Sequence, residues 1–143
     1  MIHGNTKCEQ CISVEENGLF QTWDCPSGVA PSFVWLNPPW HSIDPWVDKA
    51  LIAAGDGNEV TMLVPARTGT KWFGRAIKRA ESVHFIRGRV LFHGPHSPEG
   101  GKSIEDSCVI RFTQLGLEAP GSRSVRLMNN RGQEVTEEGW LAL

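Results

Sequence analysis

The segment Phe33-Val34-Trp35-Leu36-Asn37-Pro38-Pro39-Trp40 limits the fold of this chain more than any other. Four apolar residues in a row suit a strand buried on both faces. Two prolines then remove two backbone donors and fix two φ angles, so the strand must stop at Leu36 and the next residues form a stiff loop. A helix start follows within a few residues. Asp44 is placed to act as N-cap, Pro45 fits the first helical position, and Asp48 favours the positive end of the helix dipole. Trp46, Val47, Ala50, Leu51 and Ala54 form an apolar stripe, and Gly55-Asp56-Gly57-Asn58 ends the helix. Glu59 to Val64 is a second apolar run, closed by Pro65. Strand, helix and strand make a βαβ unit, which requires parallel pairing.

The pattern continues less regularly. Thr70 caps a predicted helix running from Lys71 to about Ala80, with its cationic residues outward. Val83 to Ile86 and Val90 to Phe92 are short strand candidates joined at Gly88. His93 to Asp106 reads as a long polar loop, and Ser107 to Phe112 returns to strand. Beyond Gly116 a hairpin is expected, Ser124 to Met128 and Gln133 to Val135 flanking Asn129 to Gly132. With 143 residues, 40% hydrophobic and 21% charged, the chain has enough apolar material for one core. The expected organisation is an irregular segment over residues 1–30 packed on the domain, an α/β core with a parallel sheet over 31–116, and a hairpin tail over 117–143. No apolar run is long enough to cross a bilayer and no signal peptide precedes the core, which points to the cytoplasm and away from membranes.

In parallel sheets ligands bind at the carboxyl ends of the strands, where Asn37 stands. Asn-Pro-Pro-aromatic has the parts needed to hold an extruded base by its exocyclic amine. The Asn37 side-chain oxygen accepts one N–H, a proline carbonyl accepts the other, and the prolines limit the loop so that both acceptors converge. Trp40 offers a stacking face, an interaction typically worth ~1–3 kcal/mol. The amine keeps both protons until attack, so no strong base is required. On these four residues alone, a plain Pro-Pro turn over a buried aromatic accounts for the pattern equally well.

Net charge is −2, yet Arg67, Lys71, Arg75, Lys78, Arg79, Arg87 and Arg89 place seven of the 14 lysines and arginines in one short stretch, with Glu81 as its single acid. A solvated helix face is the ordinary reading of such a run. Its position after the base-binding loop favours phosphate contact, led by Arg67, Thr68, Lys71 and Arg89, with Trp72 beside Lys71.

Further segments give the chain a likeness to a known family. Asn5-Thr6-Lys7-Cys8, Gly18-Leu19 with Trp23, Val34 to Pro39, Leu63-Val64-Pro65-Ala66-Arg67-Thr68, Trp72-Phe73, and Ile86-Arg87-Gly88-Arg89 with Phe92 together resemble the phage-type, Dam-like DNA N6-adenine methyltransferases. The resemblance implies methyl transfer from S-adenosylmethionine to adenine N6 in double-stranded bacterial or phage DNA, as in restriction-modification, on a Rossmann-like methyltransferase sheet with flanking helices. It makes Asn37, Pro38 and Pro39 the amine-binding group, sets Asn37 against the cofactor, and puts Trp40 where the family usually has Tyr or Phe. Members ordinarily begin with a Trp-x-Thr-Pro segment and a strand ending in Leu-Asp-x-Ala-Ala, which belong to the donor pocket. Neither pattern precedes Asn37, so the sheet is expected to be N-terminally truncated. A non-catalytic DNA-binding remnant of such an enzyme is the alternative.

Other signals are weaker. Cys8, Cys11, Cys25 and His3 offer four zinc ligands, but the second pair lacks matching spacing, and no metal is expected. Gly101-Lys102-Ser103 resembles the end of a phosphate loop, yet His96 stands where its first glycine belongs. His93 and His96 are assigned no role, and Cys108 reads as a small core residue.

Overall fold

A computed structural model describes residues 12, 16–24, 31–94, 97–119, 124–129 and 131–134. Strand β1 (Phe33–Leu36), helix α1 (Asp44–Gly55) and strand β2 (Glu59–Pro65) form the expected βαβ unit, with Phe33 to Leu36 paired in parallel to Glu59 to Met62. Helix α2 (Lys71–Arg79) begins as the sequence implies: the Thr70 hydroxyl accepts from the Phe73 N–H at 3.4 Å. Strand β3 (Ser82–Arg87) follows, then β4 (Leu91–Gly94), β5 (Ser97–Lys102), β6 (Ser107–Phe112), the short helix α3 (Gln114–Glu118) and β7 (Ser124–Asn129).

The sheet is mixed, where the sequence suggested a parallel one. Its order is β1-β2-β6-β3-β7, and β6 runs antiparallel to both β2 and β3. The cause is the connection. No crossover helix joins β3 to β6; β4 and β5 form a separate antiparallel ribbon beyond the end of β3, and a strand fed from that edge can only run back down the sheet. Strand β5 itself lies in the stretch read as an open polar loop. Strand β7 pairs in parallel with β3, so the segment read as a tail adds a strand to the core sheet. The expected turn survives beside it as a bridge between Met128 and Glu134.

Apolar packing accounts for these elements. Strand β2 is buried along most of its length, and Val60, Met62 and Val64 alternate with the facing Cys108, Ile110 and Phe112 of β6. Val47, Ala50 and Ala54 of α1 and Phe73 and Ala76 of α2 close over that sheet. Each large apolar side chain so buried contributes about 1.5–3 kcal/mol. Burial of Cys108 pushes its thiol pKa up to about 12, which keeps it an unreactive core residue. Trp23 stacks on Trp46 with ring centroids 6.4 Å apart and donates its indole N–H to the Gly18 carbonyl, so residues 16–24 pack on the domain through turns. Helix α1 departs in one detail: Ile43 occupies the N-cap without a side-chain cap. Asp44 is instead the first helical residue and, with Asp48, pairs with Arg75 of α2.

Helix α3 was not foreseen. Thr113 caps it, its hydroxyl accepting from the Gly116 N–H at 3.2 Å, and Gly116 lies directly on the backbone of Glu81. A β-carbon at Gly116 would stand 2.8 Å from the Glu81 nitrogen, and Glu81 is held in place by hydrogen bonds to Arg111 and Ser124. Gly116→Ala is therefore expected to destabilise the fold by about 1–3 kcal/mol, since the obstacle is backbone and cannot turn aside. A lower urea midpoint with unchanged m value is the expected readout.

Candidate functional site

The topology gathers five segments at one edge of the sheet. Strands β1, β2 and β3 end there, β6 starts there, and the β4–β5 ribbon stands above it. The loop after β1 carries Asn37 to Trp40, and Ala66 and Arg67 follow β2. A hydrogen bond from the Ala66 N–H to the Asp106 carbonyl, 2.8 Å, ties the second of these loops to the segment before β6.

Within the first loop, Pro38 is buried, Asn37 and Pro39 are exposed, and Trp40 is half-buried. Among the described residues none bonds to the Asn37 side chain, so its amide oxygen is available. The Pro39 carbonyl already accepts from Ser42 at 3.1 Å and the Trp40 carbonyl from Arg67 at 2.8 Å. Among the described residues none donates to the Pro38 carbonyl. Phe92 of β4 meets the Trp40 ring edge-to-face, with centroids 5.3 Å apart and planes at 85°. The Trp40 ring is held from the side by the ribbon.

A cleft of about 380 Å³ opens between these groups, lined by Asn37, Pro38, Trp40, Phe92, Lys102, Ser103, Ile104 and Glu105. That size suits a small ligand of nucleobase dimensions with its sugar. Half of its wall comes from residues 102–105, none of which sequence reasoning singled out as site residues. The signal for them was faint: Ile104-Glu105-Asp106 is a small apolar-acidic break in a polar stretch.

Arg67 holds the site together. Its Nε donates to Glu105 Oε2 at 2.7 Å, its Nη2 donates to Glu105 Oε1, and its Nη1 reaches the Trp40 carbonyl. One guanidinium therefore bridges the loop after β1 and the segment before β6. The forked geometry is specific to arginine. These hydrogen bonds hold the Glu105 carboxyl below the usual carboxylate range, outweighing the opposing effect of burial. A carboxyl with a depressed pKa adds stability above its unfolded pKa, and that stability is lost as the pH falls through the lowered value. The gap in melting temperature between wild type and Glu105→Gln is expected at neutral pH and should close in acid. A gap that persists unchanged through the acid range would contradict the pairing.

Comparison with known proteins identifies the family. The pattern of the DNA N-6-adenine-methyltransferase (Dam) family matches residues 2–133. The chain belongs to this family. It is similar to a DNA N-6-adenine-methyltransferase of Escherichia phage T1, 35% identical over 82 residues, which cover 57% of this chain and 32% of the relative. It is also similar to a DNA N-6-adenine-methyltransferase of Haemophilus phage HP1 (strain HP1c1), 30% identical over 83 residues, covering 57% of this chain and 44% of the relative. The matched part of this chain thus spans between a third and a half of those proteins. No solved structure matches it.

The other candidate site residues differ in exposure. Thr68 and Lys71 are exposed, at the carboxyl end of β2 and the start of α2. Trp72 is not: it is buried in the core and sits edge-to-face against Phe73, 5.4 Å away, so it leaves the set of DNA contacts. Helical phase explains this, because Trp72, Phe73 and Ala76 share the face that α2 turns to the sheet. Arg89 is partly committed within the protein, donating to the Ile104 carbonyl at 2.8 Å and pairing with Asp106 at 3.3 Å. Cys8, Cys11, Cys25 and His3 lie outside the described residues, and among the described residues no three metal-ligating side chains converge. Among the same residues no helix is long and apolar enough to cross a membrane.

Proposed function

We propose that this chain provides the base-holding site of an adenine-N6 methyltransferase acting on double-stranded DNA, with S-adenosylmethionine as donor and a Rossmann-like sheet as scaffold. The observation that carries the reading is that Asn37, Pro38 and Trp40 line one cleft, with no described residue bonded to the Asn37 amide or the Pro38 carbonyl and with Phe92 bracing the Trp40 ring. An adenine swung out of its duplex places its ring on Trp40 and its two N–H bonds on Asn37 Oδ1 and the Pro38 carbonyl. Both acceptors draw on the amine without removing a proton, leaving the nitrogen lone pair directed away from the loop. The rate advantage comes from this positioning. When bound, the donor supplies an electrophilic methyl group, and the proton leaves the nitrogen after transfer.

The acid in the cleft, Glu105, is taken by Arg67, and a second small cleft of about 90 Å³ between Trp23, Lys49, Asp56 and Asn58 lies at the opposite sheet edge. Asn37 alone is assigned to the donor side. The second reading is a DNA-binding remnant without transfer. Both readings use exposed Thr68, Lys71 and Lys102 as phosphate contacts, so affinity falls steeply with salt. The separating experiment is incubation with methyl-labelled S-adenosylmethionine and unmethylated DNA, followed by nucleoside analysis. Label in N6-methyladenine supports transfer; salt-sensitive binding without label, and without calorimetric heat from the donor, supports the remnant.

A further inference from the structure

Ile104 is the most exposed of the large apolar side chains among the described residues, at 91% of its full surface, and it stands on the wall of the base cleft. A single exposed aliphatic residue is ordinary on a protein surface. What distinguishes this one is the rigidity of its mounting. Before it, Ser103 is buried, its N–H donates to the Val90 carbonyl at 2.8 Å, and its hydroxyl donates to the Glu105 carbonyl at 2.7 Å while accepting from the Glu105 N–H at 3.2 Å. At the residue itself, Arg89 holds the carbonyl. After it, Glu105 is forked to Arg67, and Asp106 pairs with Arg89 through its side chain and with Ala66 through its carbonyl. The backbone on both sides of Ile104 is tied down, while its apolar side chain projects into solvent.

We propose that Ile104 is a wedge that enters the base stack of duplex DNA and fills the space left by the extruded adenine. The proposal rests on the reading that the cleft receives that adenine, and it adds the residue that keeps the base out. Two observations and one general property of apolar groups select DNA as the occupant. The side chain borders the cleft that holds Asn37 and Trp40, so a base in the cleft places its vacated stack next to Ile104. Lys102 and Arg89 flank it within the same segment and its anchor, offering charge to the phosphates on either side. Apolar side chains held rigidly at a protein surface are the groups that penetrate and unstack base steps. Ile104 is thus a positioning residue: it touches neither the amine nor the methyl group, and acts by shifting the equilibrium between stacked and extruded base.

The test uses a duplex in which 2-aminopurine replaces the adenine that the wild-type protein methylates. Its fluorescence rises when the base leaves the stack. Wild type is expected to give a strong rise on binding, Ile104→Ala a rise reduced about tenfold, and Ile104→Leu a rise near that of wild type, because the cost of unstacking must be met by an apolar group of sufficient reach. Affinity measured by anisotropy should change much less than fluorescence, since phosphate contacts dominate it. Equal fluorescence for wild type and Ile104→Ala, with wild-type methylation intact, overturns the wedge alone. Absence of any fluorescence rise in wild type overturns the base-site reading and the wedge with it.

Discussion

Replacing Asn37 with alanine is expected to slow adenine methylation by about 10²–10³-fold while DNA affinity stays close to that of wild type, the magnitude typical of removing one preorganised polar contact to a reacting group. Asn37 is exposed and no described residue bonds to its side chain, so its loss breaks nothing in the fold. The effect should fall on kcat rather than on binding. In the proposed reading the amide oxygen orients the amine in the transition state, and Lys71, Lys102 and Thr68 are the contacts assigned to the duplex. Asn37→Asp keeps an acceptor at the same place and should retain part of the rate. A loss of DNA affinity matching the loss of rate would show that Asn37 acts in docking instead.

Arg67→Ala is expected to have the second largest effect. Removing the guanidinium frees Glu105 and the Trp40 carbonyl together, so the loop after β1 loses its tie to the segment before β6. Both partners are more than one-third exposed in their side chains and can be rehydrated, which limits the stability cost to about 1 kcal/mol or less. Activity is more sensitive. A displacement near 1 Å in a positioning group costs about 100-fold, and kcat/KM should fall on that order. Arg67→Lys keeps the charge but not the fork and should remain impaired. Chemical denaturation beside steady-state kinetics checks the split; a large fall in stability with intact kcat/KM would contradict it.

The parts of this molecule legible in its sequence are those fixed by neighbours a few residues apart. The Thr70 cap and the apolar face of α1 each depend on local spacing, and the Asn37–Trp40 loop is contiguous; the run before Pro38 forms the expected strand, but at the edge of the sheet, with Phe33 and Trp35 exposed rather than buried on both faces. The missed parts depend on pairings across the chain. Strand β5, Ser-Pro-Glu-Gly-Gly-Lys, has neither alternation nor β-branched residues, and forms because β4 lies against it as a ribbon in which proline is tolerated. The positive φ of Gly100, +85°, with the His93 ring against it, is a close approach that only glycine permits. The direction of β6 follows from that ribbon and could not be read before it. Arg67 stood out as a cation, but its partner is 38 positions away, so it read as a DNA contact when its hydrogen bonds brace Trp40. Trp72 was misjudged because charge beside it was weighed above helical phase.

The base-holding role of the Asn37–Trp40 loop is tested most directly by the position of adenine N6 in a crystal structure of the protein bound to a duplex that carries its methylation sequence. The expected result places N6 within hydrogen-bond distance of both Asn37 Oδ1 and the Pro38 carbonyl, with the purine against Trp40. An adenine still stacked in the duplex, or one bound away from these two oxygens, would contradict it.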